Sequence, residues 1–201
     1  MIAFDKVPPV LQAHTPALID AQDTDARAAV AMIVDSAQSN HDPSVLFIER
    51  AHNPDDPWSG HMAFPGGRCE PLSEPVIDTA RRETGEEIGL YLPEASVIGR
   101  LDDMQGRHAG RSAGLVISCL VFSVASEEDL TLNHEVANTV KVPFSALLDG
   151  RNQTHIEYPN SGAARYPAVR IRATDPRLVW GLTYRFLRSF FGLLGHHLPE
   201  S

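Results

Sequence analysis

Cysteine is scarce in this sequence, and positive charge is outnumbered by negative charge. The 201 residues include two cysteines, Cys69 and Cys119, whose placement fits neither a disulfide framework nor the ligand spacing of a zinc site. Two reduced thiols are therefore expected, which favours a cytoplasmic protein. Lys and Arg total 17 against 26 Asp and Glu, a formal net charge of −9. This balance excludes a general nucleic-acid-binding protein, and it implies that an anionic substrate would need a cation brought to the site.

The sequence also lacks the patterns of a secretion signal and of a membrane span. The first residues, MIAFDKVPP, have no basic stretch followed by an apolar one. The longest apolar stretch, residues 178–194, is interrupted by Arg185 and Arg188 and is a poor membrane span. We therefore expect no membrane partner.

Length and composition indicate one globular domain with a short extension. Apolar residues make up 43% of the chain and charged residues 21%, as in ordinary globular proteins. A chain of this length can bury a core without a metal or disulfide. Residues 1–25 contain three prolines and little periodicity. We predict an N-terminal arm with one short helix over residues 1–25, and a domain over residues 26–201.

Short β-branched runs and two amphipathic segments define the expected elements of the domain. The predicted strands are residues 29–34, 45–50, 61–64, 97–101, 115–124, 135–142 and 168–172. Helices are predicted at residues 75–88 and 180–194. Pro75 is expected at the first helical position and Gly89 at a left-handed stop. Because residues 115–124 are nearly all apolar, we expect that strand at the centre of a mixed sheet covered by helices.

The first of these helices carries a cluster of acids. Glu83, Glu86 and Glu87 stand at positions i, i+3 and i+4, so they project from one sector about 100° wide. The expected buried stripe of the same helix comprises Ile77, Ala80, Thr84 and Ile88. The acids should therefore lie at the rim of the core, with Arg82 paired to Glu86 four residues away.

Two interpretations of the acidic cluster are open from the helix alone. A run of charges is usually a solvated helix face. Alternatively, three clustered carboxylates would hold a hard cation such as Mg²⁺, which takes oxygen ligands and keeps positions for water and phosphate. Zinc fits less well, since it favours His and Cys ligands.

The order of residues around the helix resembles the signature of the Nudix hydrolase superfamily. Gly66-Gly67, Glu74 and the run RETGEEIGL at residues 82–90 follow its order of Gly, Glu and Arg-Glu-apolar-x-Glu-Glu-x-Gly-apolar. Two departures are one extra residue between Gly67 and Glu74, and Thr84 in place of an apolar residue. The resemblance implies an α+β Nudix fold, which is an α/β/α sandwich with a mixed β-sheet and a loop–helix–loop catalytic box.

The resemblance also implies a metal-dependent active site. The implied ligands of Mg²⁺ or Mn²⁺ are Glu83, Glu86, Glu87 and the backbone carbonyl of Gly66 or Gly67. Arg82 would orient the glutamates without touching the substrate. The metal would neutralise diphosphate oxygens and activate water. The implied reaction is hydrolysis of the P–O–P bond of a nucleoside diphosphate linked to another moiety, a small-molecule substrate.

Further matches are similar to the coenzyme A pyrophosphatase branch of that superfamily. They are Leu46 to Arg50, the run GHMAFPGG at residues 60–67 and the run VWGLT at residues 179–183. The second Arg of the branch marker is missing, and Asp55 stands near its place. Coenzyme A or a derivative is the leading substrate. The alternatives are ADP-ribose, a nucleotide sugar, a dinucleotide, a nucleoside triphosphate, or a Nudix-fold binding module without catalysis, which the three retained acids disfavour.

Four side chains outside the box are candidates for substrate binding. Arg50 belongs to the branch marker, and Trp58, in the loop before the box, would contact the organic part of the substrate. The glycine-rich segment 102–114 carries Arg107 and Arg111, which would fold over the phosphates unless the segment is a solvated loop.

Two further features have both a functional and a structural interpretation. Glu135, before a predicted strand, is a candidate general base or an exposed loop acid. The aromatic residues of the last helix are expected to form core or a homodimer contact, with stacking on a nucleobase as the alternative; they are Trp180, Phe186, Phe190 and Phe191.

Overall fold

A computed structural model describes residues 1–20, 26–37, 39–54, 58–108, 111–125, 129–157 and 165–200, with the backbone alone at residues 107, 108 and 111–113. The helices are α1 (Val7–Ala13), α2 (Val76–Ile88), α3 (Phe144–Leu148) and α4 (Gly181–Leu193). The strands are β1 (Ala26–Asp35), β2 (Ser44–Arg50), β3 (Met62–Ala63), β4 (Gly66–Arg68), β5 (Val97–Arg100), β6 (Met104–His108), β7 (Arg111–Val124), β8 (Val136–Pro143), β9 (Gln153–Glu157), β10 (Arg165–Arg170) and β11 (Leu178–Trp180).

The larger sheet is mixed, as the sequence predicts. Within the described residues it has eight strands, with β3, β2, β1, β7 and β5 as neighbours in that order. Strand β4 pairs with β1, β6 pairs with β7, and β8 pairs with β2. β1 and β7 run parallel, from Ala26 opposite Leu115 to Asp35 opposite Val124. β7 therefore has the interior position expected from its apolar composition. Strands β9, β10 and β11 form a separate antiparallel sheet.

Both faces of the larger sheet are covered. Along β1, alternate side chains point to opposite faces, so Ala31 packs in the core on the α2 side while Met32 packs in the core on the α4 side. The second of these cores also receives Phe186, Phe190 and Phe191 of α4. The predicted α+β sandwich of the Nudix type is confirmed. The aromatic residues of α4 belong to the core of the chain itself, and the predicted homodimer stays a prediction.

Helix α2 differs from the prediction at its entry. Pro75 is the N-cap and not the first helical residue, and its carbonyl accepts the N–H groups of Asp78 and Thr79 at 2.9 and 3.0 Å. The buried positions of the helix are Val76, Thr79, Ala80, Thr84, Glu87 and Ile88. Ile77 is half-buried, because the row 76–80–84–88 faces the sheet and turns position 77 to its flank.

Gly89 and Thr84 explain how α2 ends and how one of its buried polar side chains is paired. Gly89 stops the helix in the left-handed conformation, with φ of 69°, and donates its N–H to the Gly85 carbonyl at 3.0 Å. Thr84 donates its buried hydroxyl to the Ala80 carbonyl at 2.7 Å. A threonine can therefore replace the apolar residue of the Nudix pattern without leaving its donor unpaired.

The prediction of a loop over residues 102–114 is wrong for most of that segment. Residues 104–108 form β6, which pairs antiparallel with β7 so that Gln105 lies opposite Val116. The segment becomes a strand because β7 supplies hydrogen-bond partners along an otherwise open edge, despite its glycines and charges.

The N-terminal segment packs on the domain. Val7 and Leu11 of α1 are buried in the core, and a methyl group at position 99 of β5 would lie 2.6 Å from the Leu11 Cβ. The division into residues 1–25 and 26–201 stays a prediction. In the described part of the chain, no helix has both the length and the apolar character needed to cross a membrane.

Candidate active site

Helix α2 presents its three acids at different depths. Glu87 is 3% exposed, whereas the side chains of Glu83 and Glu86 are 18% and 57% exposed. Glu86 and Glu83 lie at the rim of the core, as predicted. Glu87 lies deeper than predicted, because it is next to Ile88 on the side of α2 that faces the sheet. A buried carboxylate of this kind requires compensation from its surroundings.

The glycine segment before the helix supplies part of that compensation. The Gly66 N–H donates to Glu87 Oε2 at 2.8 Å. At Gly67, a methyl carbon would lie 2.5 Å from each carboxylate oxygen of Glu83, so a larger residue would displace that carboxylate. Pairing of Gly67 with Ala29 of β1 holds this segment in place. The structure therefore brings the predicted glycine loop against the predicted acids.

Arg82 connects three carboxylates. Its Nε and Nη2 donate to the two oxygens of Glu74, each at 3.0 Å. Its Nη1 donates to Glu83 at 2.8 Å and to Glu86 at 3.2 Å, and its Nη2 also donates to the Arg68 carbonyl at 3.1 Å. The predicted pair of Arg82 and Glu86 is present. The guanidinium fixes the orientation of the acids through a planar fork.

Glu74 has a role that the sequence reasoning left undefined. Besides the two bonds from Arg82, it accepts the Thr79 hydroxyl at 2.8 Å and the Glu70 N–H at 3.0 Å. The bonds from Arg82 are the largest cause that lowers the pKa of Glu74 to about 2. Glu74 in turn raises the pKa of Arg82. The position of Glu74 in the family pattern was the available signal that it acts with Arg82.

Burial disfavours the negative charge of the carboxylates on α2. Burial is the largest cause that raises the pKa of Glu87 to about 7, with smaller increases from the charges of Glu83 and Glu135. The Gly66 N–H and the charge of Arg50 act in the opposite direction. Burial also raises the pKa of Glu83, and it outweighs the bond from Arg82. A cation placed among these carboxylates would therefore be favoured.

Arg50 and Glu135 lie beside the acids of α2. The charge of Arg50 lowers the pKa of Glu87, and the charge of Glu135 raises it. The backbone brings them together, since the Ala51 N–H donates to the Glu135 carbonyl at 2.7 Å. The Glu135 side chain is exposed, as a group that contacts substrate or water must be. Two elements distant in sequence, β2 and the start of β8, therefore meet at the candidate site.

The remaining predicted substrate contacts have different outcomes. Trp58 is 44% exposed, and its ring centroid lies 5.9 Å from that of His61. The side chains of Arg107 and Arg111 fall outside the described part of the structure, as does Asp55. These arginines therefore remain predictions.

Oxygen atoms dominate the candidate site. The carboxylates of α2 and the carbonyl groups of the glycine segment match the donors that Mg²⁺ and Mn²⁺ take. In the described residues, no group of three or more His, Cys, Asp or Glu side chains has the arrangement that holds a metal ion. Glu83 and Glu86 are instead bonded to Arg82, and Glu87 to Gly66. Binding a cation would require these carboxylates to change partners.

Known proteins resemble this chain in both sequence and fold. The chain is 31% identical to human "Mitochondrial coenzyme A diphosphatase NUDT8" over 157 residues, which cover 78% of this chain and 65% of the human protein. The mouse protein of the same name is 30% identical over 157 residues, covering 78% of this chain and 73% of its own length. A MutT/nudix family protein from Enterococcus faecalis has the same fold, with a TM-score of 0.58, 15% identity and coverage of 92% of this chain and 66% of that one.

A family model supports the same assignment. The model of the NUDIX domain matches residues 25–159, which is more than half of the chain and contains the glycine segment, α2, Arg50 and Glu135. The chain therefore belongs to the Nudix hydrolase family, and its similarity to the coenzyme A diphosphatases supports the coenzyme A pyrophosphatase-like branch within that family.

Proposed function

We propose that this protein is a Mg²⁺- or Mn²⁺-dependent diphosphohydrolase that cleaves the P–O–P bond of a nucleoside diphosphate linked to another moiety. The observation that supports this most directly is the contact of the glycine segment before α2 with the carboxylates of Glu87 and Glu83, the second of which Arg82 joins to Glu86. The acids of a solvated helix face would all be exposed, whereas Glu87 is 3% exposed and burial raises its pKa to about 7.

The proposed cation ligands are Glu83, Glu86, Glu87 and the Gly67 carbonyl. Their oxygen donors and excess negative charge fit a hard divalent cation, as described above. When bound, the cation would neutralise diphosphate oxygens and lower the pKa of an attacking water. Arg82, anchored by Glu74, would hold the carboxylates in position and would leave Glu83 and Glu86 partly free when the cation binds.

Two neighbouring side chains complete the proposed machinery. Glu135 is exposed and close enough to the acids of α2 to raise the pKa of Glu87, so we assign it the role of accepting a proton from the attacking water. The positive charge of Arg50 lowers the pKa of Glu87, and we propose that Arg50 binds a phosphate oxygen of the substrate.

Coenzyme A or a derivative is the proposed substrate. The support is the similarity to two relatives named as coenzyme A diphosphatases, together with the branch marker at residues 46–50 and 60–67. Asp55, in place of the marker's second Arg, would repel the 3′-phosphate of coenzyme A. The alternatives of ADP-ribose, nucleotide sugar, dinucleotide and nucleoside triphosphate therefore belong in the same test. The cytoplasmic location stays a prediction.

A product assay tests the proposal. Purified protein is incubated with Mg²⁺ or Mn²⁺ and, separately, coenzyme A, acyl-coenzyme A, ADP-ribose, a dinucleoside polyphosphate or a nucleoside triphosphate. We expect 3′,5′-ADP and 4′-phosphopantetheine from coenzyme A, and no product after chelation. Turnover of another diphosphate would replace coenzyme A as substrate. Binding of these compounds with no turnover of any of them would contradict the hydrolase and favour a binding module.

A further inference from the structure

Four aromatic rings from distant parts of the chain form a connected group, and one of them, His61, has its backbone bonded to that of Arg50. The centroids of Trp58 and His61 are 5.9 Å apart, those of His61 and Trp180 are 5.0 Å apart, and those of Trp180 and Tyr166 are 6.0 Å apart. We call Trp58, His61, Tyr166 and Trp180 the ring cluster. Its members come from the loop before β3, from β10 and from the end of β11, so only the folded chain assembles it.

The ring cluster is distinct from the aromatic core. Core rings such as Phe144, Phe190 and Phe191 are 0% exposed and pack against one another. The members of the ring cluster are half-buried or exposed, and Trp58 is the most exposed of them. Large aromatic surface left partly in water has a cost that ligand binding would remove.

The backbone ties the ring cluster to the proposed catalytic residues. The Arg50 N–H donates to the His61 carbonyl, and the Gly60 N–H donates to the Arg50 carbonyl, each at 3.1 Å. The charge of Arg50 acts on Glu87. The backbone of His61 therefore lies against that of Arg50, the residue proposed to bind a phosphate oxygen of the substrate.

We infer that the ring cluster binds the nucleobase of the substrate, with Trp58 as the stacking surface and with His61 and Trp180 as positioning residues behind it. This inference rests on the proposed function, since it places one end of a nucleoside diphosphate whose other end lies at α2. A planar base suits an exposed indole because every base offers a π-face to stack on. The edge-on contacts of His61 with both indoles, with interplanar angles of 61° and 68°, fix the orientation of that surface.

Tryptophan fluorescence gives a test that does not depend on turnover. The chain has two tryptophans, and both belong to the ring cluster. Metal-free protein is titrated with 3′,5′-ADP, with AMP and, as the base-free probe, with ribose 5-phosphate. The same titrations are made with Trp180→Phe, in which Trp58 alone reports. We expect saturable quenching by the two nucleotides in both proteins and none by ribose 5-phosphate. Equal responses to all three probes, or no response to any, would overturn the inference.

Kinetics on the best substrate of the product assay give the second test. Because stacking of one base on an aromatic side chain contributes roughly 1–3 kcal/mol, Trp58→Ala should raise KM about 5-fold to 150-fold with little change in kcat. Trp58→Phe keeps a ring and should restore most of the loss. An unchanged KM for Trp58→Ala in an active enzyme would overturn the ring cluster's role and leave the proposed hydrolase intact. If Trp58→Ala does not fold, the fluorescence titration decides.

A matched control comes from another exposed aromatic residue. Tyr91 is 73% exposed and lies in a groove of about 420 Å³ whose lining also includes Arg82 and Glu86. This groove borders the proposed cation ligands from the side of Arg82 and Glu86, so it is the alternative place for the base. If the ring cluster binds the base, Tyr91→Ala should leave KM and nucleotide quenching unchanged. A rise in KM for Tyr91→Ala but not for Trp58→Ala would place the base in that groove and contradict the inference.

Discussion

Replacing Glu87 with glutamine should stabilise the metal-free protein at neutral and higher pH. Burial raises the pKa of Glu87 from 4.5 to about 7 in the folded chain. Between those values the folded state retains a proton that the unfolded chain has released, so the stability of the wild type falls as pH rises through this window. The difference between these two pKa values corresponds to roughly 3 kcal/mol, at about 1.36 kcal/mol for each pKa unit. Glu87→Gln has no such proton, and its amide oxygen can still accept the Gly66 N–H.

Urea unfolding of both proteins at pH 5 and pH 8, with a chelator present, measures this effect. The free energy of unfolding of Glu87→Gln minus that of the wild type should rise by about 2–3 kcal/mol from pH 5 to pH 8. Other titrating groups cancel in that difference. A difference that stays constant with pH, or falls, would refute the reasoning that Glu87 is a desolvated carboxylate. The same variant should lose turnover by orders of magnitude at both pH values, because the proposed cation loses a ligand.

Three other outcomes follow from the site. Glu86→Ala should lower turnover at least about 100-fold while far-UV circular dichroism keeps the wild-type spectrum, since its side chain is 57% exposed; a near-wild-type rate would contradict its assignment as a ligand. Mg²⁺ or Mn²⁺ at 100 times its Kd should stabilise the native protein by about 2.7 kcal/mol and raise the calorimetric Tm by several degrees; an unchanged Tm would count against a cation site. Arg82→Lys loses the planar fork that holds Glu74, so acid unfolding should begin at a higher pH than in the wild type. The lowered pKa of Glu74, about 2, stabilises the folded state above about pH 4.5, and this stabilisation is lost as the pH falls toward 2. An unchanged acid transition in Arg82→Lys would show that Arg82 does not hold Glu74.

The elements that depend on local sequence were predicted most accurately. Helix α2 has Pro75 before it and Gly89 after it, and both mark boundaries through backbone constraints that act over a few residues. The alignment of three acids on one face follows from helical spacing alone. The clustering of the three acids could therefore be recognised from the sequence, and the family pattern indicated the cation chemistry that we propose for them.

The features that depend on distant parts of the chain could not be predicted in the same way. β6 forms because β7 lies beside it, and its own sequence gives little strand signal. The depth of Glu87 depends on the pairing of Gly67 with Ala29, which brings the glycine segment against α2. The ring cluster likewise joins residues more than 100 positions apart, so no local pattern indicates it.

Anomalous diffraction from a crystal grown with saturating Mn²⁺ tests directly whether the acids of α2 bind a catalytic cation. We expect a manganese peak about 2.1 Å from carboxylate oxygens of Glu83, Glu86 and Glu87, with the Arg82 bonds to Glu83 and Glu86 loosened. Glu83→Gln should weaken the peak in parallel with Mn²⁺-dependent turnover. An active preparation whose crystals show no manganese within reach of these three carboxylates would contradict the account.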